Sequence, residues 1–224
     1  MEGRATKAGV QAHAQLKAYT DWADYHAQQD PMCVFYDSHE LHIAEVCRTL
    51  WATGYVAQFG VDAGHTLRLM ASQFKSQKVI GFDAWHTKGA GLPDRWTGNF
   101  DFSRAFTWTR DAFRDMKRTM PRNVKLVPGL FDKQKIQDAL PKGDAALISI
   151  DCDTGASTTT VLEAVKHTLG PGTRIIFDEY CNYAGWRQHE FGAWQSFCEK
   201  YQIEYEYFGI CDMDVSVEIT DIKG

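Results

Sequence analysis

The sequence predicts an α/β fold with a mostly parallel sheet, helices on both faces and an antiparallel hairpin at the C-terminus. Three observations carry this. From Tyr55 onward strand-like and helix-like stretches alternate, the pattern of a sheet assembled from strand–helix–strand units. Runs such as Ala145-Ala146-Leu147-Ile148-Ser149-Ile150 are continuously apolar, which indicates burial on both faces between two layers of helices. The last two strand-like runs, 204–211 and 214–222, are separated only by Asp212-Met213, so they form a hairpin and one of them runs against the rest.

Taken in order, residues 10–28 read as a helix, with Leu16, Tyr19, Trp22 and Tyr25 at helical spacing. After Pro31 a second helix is expected over 38–53, with Ser38 as its N-cap and Leu41, Ile43, Ala44, Val46, Cys47 and Leu50 on its apolar side. Residues 1–54 are therefore a helical extension that covers a sheet edge, closes over the active site or makes a dimer contact. Residues 55–224 form the core of a single domain, with strands at 55–61, 78–83, 124–127, 145–151, 174–177, 204–211 and 214–222. The core helices are expected at 66–74, 103–119, 133–140, 157–169 and 190–201. Between Trp85 and Phe102 the chain is rich in glycine and aromatics and has no periodicity. A long loop at the carboxyl end of a central strand is a place for function, and this one carries His86, Lys88, Asp94, Arg95 and Trp96 as substrate contacts.

A chain of 224 residues that is 44% hydrophobic can bury a full core in one domain. A net charge of -5 argues against a general nucleic-acid binder, which presents a basic face. No apolar run approaches the ~20 residues of a membrane span, and no apolar signal core follows Met1, so a cytoplasmic protein without a membrane partner is expected. The six cysteines (33, 47, 152, 181, 198 and 211) contain no C-x-x-C pair, which disfavours a zinc knuckle or a thioredoxin-like centre and favours reduced, buried thiols.

The chemistry begins at Phe59-Gly60-Val61-Asp62-Ala63-Gly64, where an apolar strand breaks at two glycines before a helix starts near Leu67. Glycine permits backbone angles and close approaches that a Cβ forbids. Lys78-Val79-Ile80-Gly81-Phe82-Asp83 is a second strand ending in a carboxylate, roughly 20 residues past that turn, where Rossmann-like folds hold ribose hydroxyls. The two together indicate a nucleoside cofactor. There is no G-x-G-x-x-G, and Asp62 stands between Gly60 and Gly64, where an acid would repel a diphosphate but accept a hydrogen bond from a cationic, amino-acid-like ligand. That points to S-adenosylmethionine, which carries a sulfonium and an amino-acid end and no phosphate. A nicotinamide-dependent oxidoreductase and a non-catalytic protein that binds S-adenosylmethionine are the alternatives.

Two more strands end in acids: Ile150-Asp151-Cys152-Asp153 and Phe177-Asp178-Glu179-Tyr180. Clefts in open α/β sheets lie outside the carboxyl ends of strands, so these side chains should converge beside the glycine turn. Gathered carboxylates need a cation or a proton between them, which suits Mg²⁺ or a general base. Local structural roles remain open: Asp153 could cap the helix near Ser157, and Asp178 could accept backbone amides.

Read in order, these motifs resemble class I S-adenosylmethionine-dependent methyltransferases, and within them the macrocin O-methyltransferase-like group. Gly91-Leu92-Pro93, Gly129-Leu130-Phe131, Pro171-Gly172-Thr173 and Asn182-Tyr183-Ala184-Gly185-Trp186, followed by Glu190-Phe191 and Trp194, complete the likeness from Tyr55 to the C-terminus. The resemblance implies a seven-stranded sheet with a reversed final strand. It implies Gly60, Asp62 and Gly64 on the methionine part of the cofactor, Asp83 and Ala84 at the ribose, Gly129, Leu130 and Phe131 near the adenine, and Asp151 close by. It also implies Mg²⁺ on Asp151, Asp178 and Glu179, with Asp153 a nearby alternative. The reaction expected is O-methylation of a small molecule, a sugar or secondary metabolite, with Asp151, Asp178 and His86 as catalytic candidates. Trp85, Trp96, Asp153, Tyr180 and Trp186 are the candidate acceptor contacts, and a homodimer is a candidate assembly.

Overall fold

The computed structural model describes residues 6–30, 32–85 and 108–223. Its elements run α1 (Lys7–Gln29), β1 (Val34–Phe35), α2 (His39–Arg48), β2 (Tyr55–Phe59), α3 (His65–Gln73), β3 (Val79–Asp83), α4 (Arg110–Arg118), β4 (Val124–Pro128), α5 (Lys133–Ala139), β5 (Ala145–Ile150), α6 (Gly155–Val165), β6 (Arg174–Phe177), α7 (Glu190–Tyr201), β7 (Ile203–Cys211) and β8 (Asp214–Ile222). The eight strands form one sheet in the order β1-β7-β8-β6-β5-β2-β3-β4. All neighbours are parallel except β8, which runs against both β6 and β7. The strand order reverses at β2, which has β3 on one side and β5 on the other. That reversal opens a crevice at the carboxyl ends of the central strands.

The central strands are continuously buried, as their apolar sequences require: every residue of β2, β5 and β6 is inside. One face of the sheet packs Ile136 of α5, Val161 and Val165 of α6, and Phe191, Trp194 and Phe197 of α7, together with Trp22 of α1. The other face packs Ile43 and Val46 of α2, Leu67 and Met70 of α3, and Met116 of α4. Of the residues expected on the apolar sides of the two N-terminal helices, Trp22, Ile43, Val46 and Cys47 are buried, whereas Leu16, Tyr19 and Leu41 are exposed. All six cysteines are free and buried. No helix among the described residues is long and apolar enough to cross a membrane.

The sheet has one strand more than expected. Val34–Phe35 pairs in parallel with Gly209 and Ile210 of β7, and two residues are too few to show a period in sequence. Helix ends also shift. Ser38 does cap α2, accepting from the Leu41 amide at 3.2 Å, but the helix stops at Arg48 rather than reaching 53. The helix expected from 103 begins at Arg110, capped by Thr109, with 103–107 outside the described residues.

Candidate active site

Hydrogen bonds stitch the carboxyl ends of five adjacent strands into one rim. Gly60 N–H donates to Phe82 O (2.9 Å), Asp151 N–H to Phe59 O (2.8 Å), Asp178 N–H to Ile150 O (3.0 Å) and Gly129 N–H to Asp83 O (2.8 Å). Gly60 sits at φ 87°, and a Cβ there would lie 1.6 Å from Asp151 O, so only glycine lets β2 and β5 close up at the crevice. The turn that follows is held by Asp83, whose Oδ2 accepts from Val61 N–H (2.7 Å) and Asp62 N–H (2.8 Å). Its other oxygen accepts from Trp85 N–H at 3.1 Å. Asp62, exposed at φ 43°, accepts from the Trp108 indole at 2.8 Å. Gly64 carries φ 79° at the start of α3. Beyond β4, Leu130 is exposed and Phe131 packs edge-on against Phe59, while Ala84 is buried beneath the rim.

The rim is acidic, and its acids influence one another. Burial is the largest cause raising Asp151 well above the usual carboxylate range, with Asp178 and Asp153 adding to it. Asp153, in the left-handed region at φ 59°, is pushed up to about 6 by burial and then by Asp83 and Asp62. Asp178 is pushed up to about 7 by burial and by Asp214, with His39 pulling the other way. Asp62, Asp83, Asp151, Asp153 and Asp178 therefore share one electrostatic neighbourhood. Asp153 does not cap α6: Thr154 does, accepting from Ser157 N–H at 3.2 Å, because the helix begins earlier than the sequence suggested.

Glu179 departs from its expected place. It is 2% exposed, its Oε2 has no hydrogen-bond partner, and burial followed by Glu190 pushes it up to about 10. Glu190, fully buried at the first position of α7, accepts from Cys152 N–H at 3.2 Å and Glu179 N–H at 3.0 Å. One side chain thereby ties the loop after β5 to the loop after β6. Asp151, Asp178 and Glu179 are not gathered to ligand spacing: among the described residues, the one trio of ligand atoms within 4.8 Å of one another is His39, Asp178 and Asp214.

Three expected acceptor contacts belong to the protein interior instead. Trp85 is 1% exposed, donates to Asp62 O at 2.9 Å and packs on Phe113. Tyr180 and Trp186 both contact Trp22 of α1 and Phe191 of α7, in an aromatic cluster under the rim. Large aromatics flanking strand ends pack wherever a partner surface exists, and here α1 supplies it. His86 and Trp96, with Lys88, Asp94 and Arg95, lie outside the described residues. His39, Asp214 and Trp108 belong to no motif in the sequence, and Glu190 entered only through the family likeness. His39 was signalled only by following the Ser38 cap, and Asp214 only by opening the last strand.

A family described as a methyltransferase domain matches residues 57–180. The chain belongs to it. As a class I S-adenosylmethionine-dependent methyltransferase it uses the cofactor that the acidic glycine turn implied, and the nicotinamide alternative falls away. Among solved structures, the fold is similar to the calicheamicin methyltransferase CalS11 (20% identity, TM-score 0.60, covering 80% of this chain and 77% of that one). It is also similar to the O-methyltransferase NovP (18%, 0.62, 81% and 79%). The O-methyltransferase from Bacillus cereus, in complex with SAH, matches at 15% identity and TM-score 0.52 over 93% and 91% of the two chains. No curated protein sequence matches. The residues at the crevice suit this cofactor: carboxylates for a sulfonium and an ammonium, a turn that glycine keeps open, and apolar Leu130 and Phe131 beside it.

Proposed function

We propose that the protein moves the methyl group of S-adenosylmethionine to a hydroxyl oxygen of a small molecule, with a sugar as the first acceptor class to test. The observation that carries this is the rim of carboxylates at the ends of β2, β3, β5 and β6, two of which, Asp153 and Asp178, are poised near neutral pH at about 6 and about 7. When bound, the cofactor supplies an electrophilic methyl carbon. The turn from Gly60 to Gly64 would take its methionine part, Asp83 its ribose and Gly129–Phe131 its adenine. Transfer to a hydroxyl breaks the acceptor O–H bond, and the proton needs a base. Asp178, pushed up to about 7, is placed to accept it, while Asp153, pushed up to about 6, offers a carboxylate to a cationic ligand. The rest of the task is alignment of oxygen, carbon and sulfur, which a rigid rim of stitched strand ends provides.

CalS11 is described as a TDP-rhamnose 3'-O-methyltransferase, which is why sugars come first. The macrocin O-methyltransferase-like group is the branch in which we place the chain. His86 and Trp96 are retained as a second proton acceptor and an acceptor contact, and six buried free thiols agree with a cytoplasmic setting.

Calorimetry with S-adenosylmethionine, followed by detection of S-adenosylhomocysteine across a panel of free and nucleotide-linked sugars, tests the reading. Asp178→Asn should keep cofactor binding and lower turnover by about 10²–10⁴, the range of a lost general base. A folded sample that binds no cofactor overturns the proposal. Binding without product on any hydroxyl acceptor replaces it with the non-catalytic reading.

A further inference from the structure

Three side chains meet at Asp62, the acid of the glycine turn. Its backbone N–H donates to Asp83 Oδ2 at 2.8 Å, its carbonyl accepts from the Trp85 indole at 2.9 Å, and its Oδ1 accepts from the Trp108 indole at 2.8 Å. The chain leaves the rim at Trp85, just after β3, and is back at it with Trp108, just ahead of α4. Both indoles fasten on the same residue of the turn after β2. Asp62 and Trp85 also hold left-handed backbone, at φ 43° and φ 39°. Such conformations are costly for a residue with a Cβ and persist only where surrounding contacts impose them. Asp62 is itself exposed, and among the described residues no donor reaches its other carboxylate oxygen.

We infer that Trp108 is a positioning residue for cofactor binding: its indole sets the Asp62 carboxylate for the ammonium group of S-adenosylmethionine, over a backbone that Trp85 holds in place. This rests on the reading that the turn from Gly60 to Gly64 takes the methionine part of the cofactor. An exposed aspartate left to itself samples several rotamers, and fixing it before the ligand arrives removes an ordering cost from binding. An indole suits that task. It is a donor with no acceptor and no charge, so it occupies one oxygen of Asp62 and leaves the negative charge in place. A lysine or arginine there would neutralise the carboxylate. The second oxygen stays available for a charge-assisted bond to a cation.

Calorimetry with the full chain compares S-adenosylmethionine with methylthioadenosine, which keeps the adenosine and a thioether but lacks the amino-acid end. Trp108→Phe should weaken S-adenosylmethionine by about tenfold, the scale of a lost hydrogen bond to a charged group, and leave methylthioadenosine within about twofold of the parent. Asp62→Ala should weaken S-adenosylmethionine as well. Adding Trp108→Phe to it should cost no more than about twofold further, because the indole acts through that carboxylate. This cycle decides alone where methylthioadenosine binds too weakly to measure. Circular dichroism checks each variant, and Trp108→Leu takes the place of Trp108→Phe should the latter fail to fold. Equal weakening of both ligands would mean that Trp108 supports the crevice as a whole, and overturns the inference. Unchanged affinity in Trp108→Phe, or a fully additive loss in the double variant, overturns it too. A folded parent that binds neither compound sinks the cofactor reading and this inference with it, a result separable from every outcome in the variants.

Discussion

Two glycines at the rim make opposite demands. Gly60 combines φ 87° with a Cβ position 1.6 Å from Asp151 O, so Gly60→Ala strains the backbone and forces β2 and β5 apart. We expect a loss of about 2 kcal/mol or more in thermal or urea unfolding, with cofactor affinity falling at least tenfold in calorimetry. Gly129, at φ 145° with nothing within 4 Å of a Cβ, should take alanine at the backbone cost alone, about 1–3 kcal/mol, with a smaller fall in cofactor affinity than Gly60→Ala. Equal effects at the two sites would show that contact with Asp151 is not what fixes Gly60. Residues of this kind were legible in the sequence, because a glycine break and an acid at a strand end are local patterns. Tyr180 and Trp186 were not. An aromatic past a strand end reads equally as cleft wall or core, and the decision lies with Trp22, more than 150 residues away.

Elements are held to the sheet by a few buried polar side chains. Arg174 of β6 is 3% exposed and spans from Glu218 of β8 (2.7 Å) to the C-terminal end of α2, where it donates to Val46 O (2.7 Å) and Thr49 Oγ1 (2.7 Å). Arg174→Met fills the space but leaves Glu218 and those acceptors without their donor. A cost of about 3 kcal/mol in unfolding is expected, and an unchanged midpoint would deny the anchor. Glu190 plays the corresponding part for α7. Gln at 190 can accept only one of the Cys152 and Glu179 amides, so Glu190→Gln should cost about 1–3 kcal/mol and reduce turnover through the loops bearing Asp151 and Asp178. Rescue by Glu190→Asp would count against that geometry, since a shorter side chain cannot bridge both. Periodicity gave the helices and strands that these anchors join. It gave neither the two-residue β1 nor the anchors themselves, because a buried arginine or glutamate looks in sequence like any surface charge.

Across the whole molecule, buried titratable groups set how stability depends on pH, and they pull in opposite directions. Glu190 is raised by burial to about 8, so the folded chain holds a proton that the unfolded chain releases above the ordinary glutamate range, and stability from this group declines as pH rises toward 8. His42 acts the other way. It is fully buried, stacked on Tyr36 and bonded through Nε2 to Ser216 Oγ at 2.7 Å, and burial followed by the charge of His39 pushes it down to about 4. Between that value and the ordinary 6.5, the unfolded chain binds a proton that the folded chain refuses, so stability falls as the solution is acidified. The full loss across this window is roughly 3 kcal/mol, at 1.36 kcal/mol per pKa unit. Replacing His42 with glutamine changes the level of stability through packing, but only the lost titration changes the slope against pH. Urea unfolding of the parent and His42→Gln at intervals from pH 4 to 7 should therefore give curves that run parallel near neutrality and converge as the pH drops. Curves that stay parallel to pH 4 would mean that His42 titrates in the folded chain as it does in the unfolded one, and that the acid sensitivity of the protein lies elsewhere.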